Sequence, residues 1–73
     1  MGRYKTYVIV FTGDSDRYRY VTSIKEHHVA RWDKGKEALS MSEDMARDIV
    51  YGLACNGFRA GVIKHLQGVK ITN

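Results

Sequence analysis

At 73 residues the chain is too short for two hydrophobic cores, because a chain of this size buries only roughly 60% of its unfolded surface; it reads as one domain spanning residues 1–73. It has no proline and a single cysteine, which excludes a disulfide framework and a paired-cysteine metal site and points to a fold held by packing in a reducing cytoplasm. The formal charge of +4 falls wholly in the first half, where eight Lys/Arg face four acids over residues 1–36 while four face four over 37–73, and such asymmetry favours an acidic partner.

The run Tyr4 to Thr12 is β-branched and aromatic throughout, with Val8 and Val10 on one face and Tyr7, Ile9 and Phe11 on the other. Apolar on both sides, it predicts a central strand. Gly13-Asp14-Ser15-Asp16 is a turn cluster, and Arg17 to Ile24 alternates again, so the two strands are expected to form a hairpin. Lys25 to Asp33 offers a short strand or an irregular crossing that lays the Trp32 indole on the edge of the core. Lys34-Gly35-Lys36 is a tight polar turn, and Glu37 to Met41 leads onward with Ala38, Leu39 and Met41 available to pack beneath a following helix.

That helix has the clearest signal in the chain. Ser42 is an N-cap whose side-chain oxygen accepts from a free amide of the first turn, and Glu43 and Asp44 set negative charge at the positive end of the macrodipole. Met45, Ala46, Ile49, Val50, Leu53 and Ala54 recur at three- and four-residue spacing and predict one buried stripe. Asn56-Gly57 ends it, with Gly57 supplying the left-handed C-cap and Phe58 folding back. Phe58 to Leu66 then has the composition of a strand, its inner Gly61 signalling a bulge or a close approach, and Val69 to Thr72 offers a short edge strand. The expected fold class is α+β, a small antiparallel sheet of three to four strands with one helix packed on one face, ββαβ-like.

One helix covers one face of such a sheet, so the opposite face must meet water or a partner. Tyrosine interleaved with arginine suits recognition, since rigid aromatic area and planar cations bind at low entropic cost. The expected contact residues are Arg3, Tyr4, Lys5, Arg17, Arg19 and Tyr20, with Arg31 and Lys34 next.

Motifs for chemistry are missing. His27 and His28 with Glu26 and His65 supply too few convergent ligands for a metal, because adjacent strand residues point to opposite faces. Asp14-Ser15-Asp16 opens like a calcium loop, but Arg19 stands where the glycine belongs and Lys25 where the bidentate acid belongs. Cys55 lies at a helix C-terminus, where the dipole raises a thiol's pKa, so packing is its expected role. Ser15, Ser23, Ser40 and Ser42 have no G-x-S-x-G elbow, and there is no P-loop and no G-x-G-x-x-G. The expectation is a non-enzymatic protein with no cofactor and no metal. No apolar run approaches the roughly 20 residues that span a bilayer, and nothing near Met1 reads as a signal-peptide core, so a cytoplasmic protein without membrane contact is expected.

Nucleic-acid binding is the rival reading. Tyr18-Arg19-Tyr20 alternates basic and aromatic residues on what would be an open sheet face; against it stand the missing RNP consensus, the single helix and the modest net charge. A homodimer through edge strands or open faces is a further option.

Trp32, Ala38, Leu39, Met41, Ala46, Ile49, Leu53, Asn56-Gly57 and Ala60-Gly61-Val62 together resemble the pattern of short β-β-α-β proteins encoded by bacteriophages. The resemblance implies a non-enzymatic effector that binds a host machine in the bacterial cytoplasm. Small transcription regulators acting on bacterial RNA polymerase are the first class it implies and anti-CRISPR proteins the second. The basic N-terminal half suits the polymerase, which offers both acidic surfaces and nucleic acid. The resemblance assigns no site residues.

Overall fold

The computed structural model of the chain describes residues 3–13, 17–26 and 29–73. Along it run β1 (Tyr4–Phe11), β2 (Tyr18–Tyr20), β3 (Ser23–Lys25), β4 (Val29–Arg31), α1 (Glu43–Cys55) and β5 (Ala60–Leu66). β2, β1 and β5 form a three-stranded antiparallel sheet in that order, and β3 and β4 form a separate two-stranded one. With the single helix, this is the expected α+β arrangement.

β1 is central because both of its edges find partners. On one side it pairs with β5 from Tyr4 opposite Leu66 to Val10 opposite Ala60. On the other, β2 covers only Ile9 to Phe11, and the ladder is continued by single bonds: Val21 N–H donates to the Val8 carbonyl at 2.8 Å and Met41 N–H to the Thr6 carbonyl at 2.9 Å. Two separate segments, β2 with Val21 and the stretch at Met41, thus share the work of one strand.

The expected single strand from Arg17 to Ile24 is broken at Val21-Thr22. Val21 is fully buried beside Val8 and Val10, while Thr22 N–H turns away to donate to the Arg31 carbonyl. Val21 still bonds β1 and falls on its core side opposite Val8; the chain leaves the first sheet after it, and Ser23–Lys25 then pairs with β4. Trp32 follows β4 half-buried against the core, its ring 5.2 Å from that of Phe58 in an edge-to-face contact. The turn residues 14–16 and the histidines 27–28 lie outside the described residues, as do the calcium-loop and paired-histidine readings that rest on them.

α1 forms where its caps and period place it. Ser42 Oγ accepts from Met45 N–H at 3.2 Å, and Gly57 takes a φ of 87° just past the Asn56 C-cap. Ala46, Ile49 and Leu53 are buried, Met45 and Val50 half-buried. Ala54 and Cys55 are exposed, so Cys55 does not pack as expected. On a helical wheel it falls about half a turn from the buried stripe. The helix lies over β1 and β5, and burial of Val8, Val10, Val21, Ile49 and Leu53 between the layers contributes roughly 1.5–3 kcal/mol per side chain.

Gly61 corrects another expectation. The β1–β5 register runs through it without a bulge, and a Cβ added there would sit 3.9 Å from Ile9 Cγ1, an ordinary contact. Val69 to Thr72 is no added edge strand of the first sheet. Its end pairs instead with the loop before the helix, through a bridge between Thr72 and Glu37 and bonds linking Ile71 to Ala38 and Asn73 to Gly35 and Lys36. Among the described residues no helix is long and apolar enough to cross a membrane.

Candidate functional site

Residues opposite one another in a ladder share a face, so the registers assign both sides of the sheet. The side under the helix carries Thr6, Val8 and Val10. The reverse carries Lys5, Tyr7, Ile9 and Phe11 from β1, Tyr18 and Tyr20 from β2, and Gly61, Ile63 and His65 from β5. The hydrophobic core and its satellites, including Ile24, Ala30 and Trp32, gather around α1 on the first side.

On the reverse side the aromatic rings cover one another. Tyr7 meets Tyr20 edge-on at 6.0 Å and His65 at 5.7 Å; Tyr20 meets Tyr18 and His65, each at 5.7 Å; Phe11 meets Tyr18 at 5.9 Å. This row shields the strand beneath it, so that Tyr7 is 5% and Ile9 8% exposed without any helix above them, while Tyr18 remains 44% exposed. Edge-to-face pairs of this kind add roughly 0.5–1.5 kcal/mol beyond area burial and fix ring orientation. The face is therefore a shaped surface.

Two contacts tune its chemistry. Tyr20 Oη and His65 Nε2 are 2.8 Å apart, and burial, helped by the Tyr18 hydroxyl, raises the Tyr20 phenol above its ordinary pKa of 10.0. Tyr20 thus stays neutral throughout the physiological range. At the far end of the row the Arg59 guanidinium carbon sits 5.1 Å from the Phe11 ring centre, a cation–π contact that holds a positive charge on the rim. Lys5 is opposite His65 and exposed, and Arg3 has the same parity one step beyond β1. No acidic residue occupies a strand position of this face among the described residues. The acids Glu43, Asp44 and Asp48 sit on the helix, on the other side of the sheet.

The eight expected contact residues do not form one surface. Lys5 and Tyr20 lie on the open face, with Arg3 following the same alternation. Tyr4 and Arg19 alternate to the helix side, where Tyr4 faces Leu66 and Arg19 faces Val10. Arg17, Arg19 and Lys34 instead line an open cleft of about 400 Å³ at the outer edge of β2, together with Thr12, Tyr18 and Asn73. Arg31 is exposed on β4, 3.7 Å from Asp33. Phe11, Tyr18, Arg59 and His65 were not among the expected contacts. Phe11 and Tyr18 share the alternation of Tyr7 and Tyr20 and were readable from it; Arg59 and His65 depend on the β1–β5 register, which no local signal carries.

The described residues hold no group of three or more His, Cys, Asp or Glu close enough to share a metal ion. The open face presents stacked rings, hydrogen-bonding groups and positive charge. Comparison with family models, curated proteins and solved structures finds no match to this chain.

Proposed function

We propose that this protein is a non-enzymatic recognition module that docks the open face of its sheet onto an acidic surface of a larger macromolecular machine. The observation that carries the reading is the gathering of Lys5, Arg59 and His65 around the Phe11–Tyr18–Tyr20 row on a face with no described acid. Charge of one sign on one face steers a partner of opposite sign, and rigid aromatic side chains supply contact area at little entropic cost. The resemblance to phage effectors makes bacterial RNA polymerase the first partner to test.

The test is capture of purified bacterial RNA polymerase by the immobilised protein, beside the Lys5→Glu/Arg59→Glu double variant. Retention by the parent and loss of at least tenfold in the variant supports the reading. Equal retention by both, or none by either, removes the polymerase. A second reading, binding of single-stranded nucleic acid, is favoured by the ring row, since bases of any sequence stack on such platforms. Binding of an oligonucleotide that collapses with added salt distinguishes it.

A further inference from the structure

The three-stranded sheet has two edges, and the chain treats them differently. At β2 the Asn73 side chain bonds both main-chain groups of Tyr20. At β5 the parity of the ladder is fixed by Phe11 N–H, which donates to the Arg59 carbonyl at 2.9 Å, and Gln67 N–H, which donates to the Arg3 carbonyl at 2.7 Å. Hydrogen-bonded pairs alternate in an antiparallel ladder, so Gly61, Ile63 and His65 turn their main-chain groups toward β1 while Ala60, Val62, Lys64 and Leu66 turn theirs outward. The Leu66 carbonyl accepts from Val69 N–H at 3.3 Å; among the described residues no other bond reaches these outward groups.

An open edge of seven residues is a template for another strand, and proteins blunt such edges with proline, bulges or outward charge. β5 has no proline and no bulge, and its one lysine, Lys64, is drawn back to Glu43 on the helix. Val62 and Leu66 stay 41% and 54% exposed beside it. Gly61 weakens the interior of the strand, yet nothing within the chain requires its small size, since an added Cβ would make only an ordinary contact with Ile9.

A second copy of β5 fits this edge in one register. Set antiparallel about a twofold axis through Ile63, residues 60–66 pair along their whole length. Ala60 with Leu66 and Val62 with Lys64 become the hydrogen-bonded pairs, with outward groups on both sides, while Gly61 faces His65 and Ile63 faces its own copy in the closer pairs. No cation opposes a cation, the His65 ring takes the space that Gly61 leaves, and the half-buried Ile63 side chains cover one another. Slipping by two residues one way sets Lys64 against Lys64, a like-charge pair; slipping the other way carries Leu66 past the end of the strand.

The helices fit the same arrangement. α1 lies over β1 and β5, so with strands about 4.8 Å apart the two helices would stand roughly 10 Å apart, a packing distance. The bond from Glu43 to Lys64 identifies the flank of α1 turned toward that edge. Val50 and Ala54 share this flank at helical spacing, one half-buried and the other exposed, and both are small enough to admit a neighbour.

We infer that the outer edge of β5 is a dimer interface, at which a second copy of this chain adds its own β5 antiparallel about Ile63. The two three-stranded sheets become one continuous sheet, with both helices on one side and both aromatic rows on the other. This inference does not rest on the open-face reading.

The experiment follows the full chain by light scattering and amide hydrogen exchange at two concentrations about a hundredfold apart. The expected result is a mass that moves from 8.4 kDa toward twice that value, with the Val62 and Lys64 amides slowing in step while those of Gly61 and Ile63 are protected throughout. Val62→Lys sets like charges opposite Lys64 and should weaken the dimer at least tenfold, whereas Val62→Glu offers Lys64 a partner and should keep it. Cooperative thermal melting shows that both variants fold. Ile63→Cys in a Cys55→Ser chain should cross-link the two copies on oxidation. A monomer at both concentrations, a dimer whose Val62 and Lys64 amides exchange rapidly, or equal weakening by the two Val62 variants would overturn the interface. Slowing of those amides only on mixing with RNA polymerase would give the edge to a strand of that partner and overturn the second copy. Failure of polymerase capture with the dimer intact would sink the open-face reading alone.

Discussion

The Asn73 side chain spans 53 positions of sequence to pair with both main-chain groups of Tyr20: its Oδ1 accepts from the Tyr20 N–H at 2.7 Å and its Nδ2 donates to the Tyr20 carbonyl at 2.8 Å. Those two groups point out from the edge of the sheet, so one side-chain amide acts as a further strand would. It also donates to the Asp33 carbonyl at 3.1 Å, joining the edge of β2 to the segment after β4.

Replacing Asn73 by Asp keeps an acceptor for the Tyr20 N–H but sets a carboxylate against two carbonyls. Loss of both donations with the groups left part-buried is expected to cost about 2–3 kcal/mol, and Asn73→Ala about 2 kcal/mol. Urea unfolding with an unchanged m-value measures it. A cost below half a kilocalorie for both variants would show that the amide is ornamental.

Gly52 sits within α1, and a Cβ added there meets nothing within 4 Å. Glycine in a helix interior costs about 0.8–1.0 kcal/mol relative to alanine. Gly52→Ala should therefore stabilise the protein by about 1 kcal/mol, seen as a rise in the denaturation midpoint. A lower midpoint would mean that the position serves a closer approach than the structure shows.

Glu43 bonds Lys64 across the helix–sheet seam, with Arg47 one turn along at 4.0 Å. The hydrogen bond and charge of Lys64 lower the Glu43 carboxyl from its ordinary value of 4.5. Because the folded pKa lies below the unfolded one, the contribution is present above about pH 4.5 and is lost as pH falls through the folded value. Lys64→Met should flatten the acid limb of the stability profile while leaving the neutral plateau little changed, since the pair is exposed and screened by solvent. An acid limb identical to that of the parent would count against the pair.

Tyr20 carries the opposite sign. Its folded pKa is raised above 10.0, so its contribution is complete below that value and is lost as pH rises through the folded one. Tyr20→Phe removes this dependence, together with the 2.8 Å contact to His65 worth about 1 kcal/mol. Denaturation midpoints measured between about pH 8 and pH 11 should fall more steeply for the parent than for the variant. Parallel curves would place the rise on another group.

The helix and the central strand could be read from local residues alone. Ser42, Gly57 and the stripe through Ala46, Ile49 and Leu53 act within a turn or two of themselves, and alternation from Tyr7 to Phe11 separates the two faces of β1 without reference to any partner. The open face followed from counting layers, since one helix cannot cover both sides of a sheet. The gathering of cations on it did not, because Tyr4 and Arg19 differ from Lys5 and Tyr20 only in parity, and parity acquires a meaning once the core side is known.

What local pattern determined, then, was α1 with its caps and the two-faced character of β1, because capping, propensity and periodicity operate between near neighbours. Tertiary structure alone decided that the chain leaves the first sheet after Val21, that β5 brings Arg59 and His65 beside Phe11 and Tyr20, and that Asn73 closes the edge of β2. Each of those choices joins segments distant along the chain, and their relative register is set by burying both sides of the core at once, a condition that no short stretch of sequence expresses.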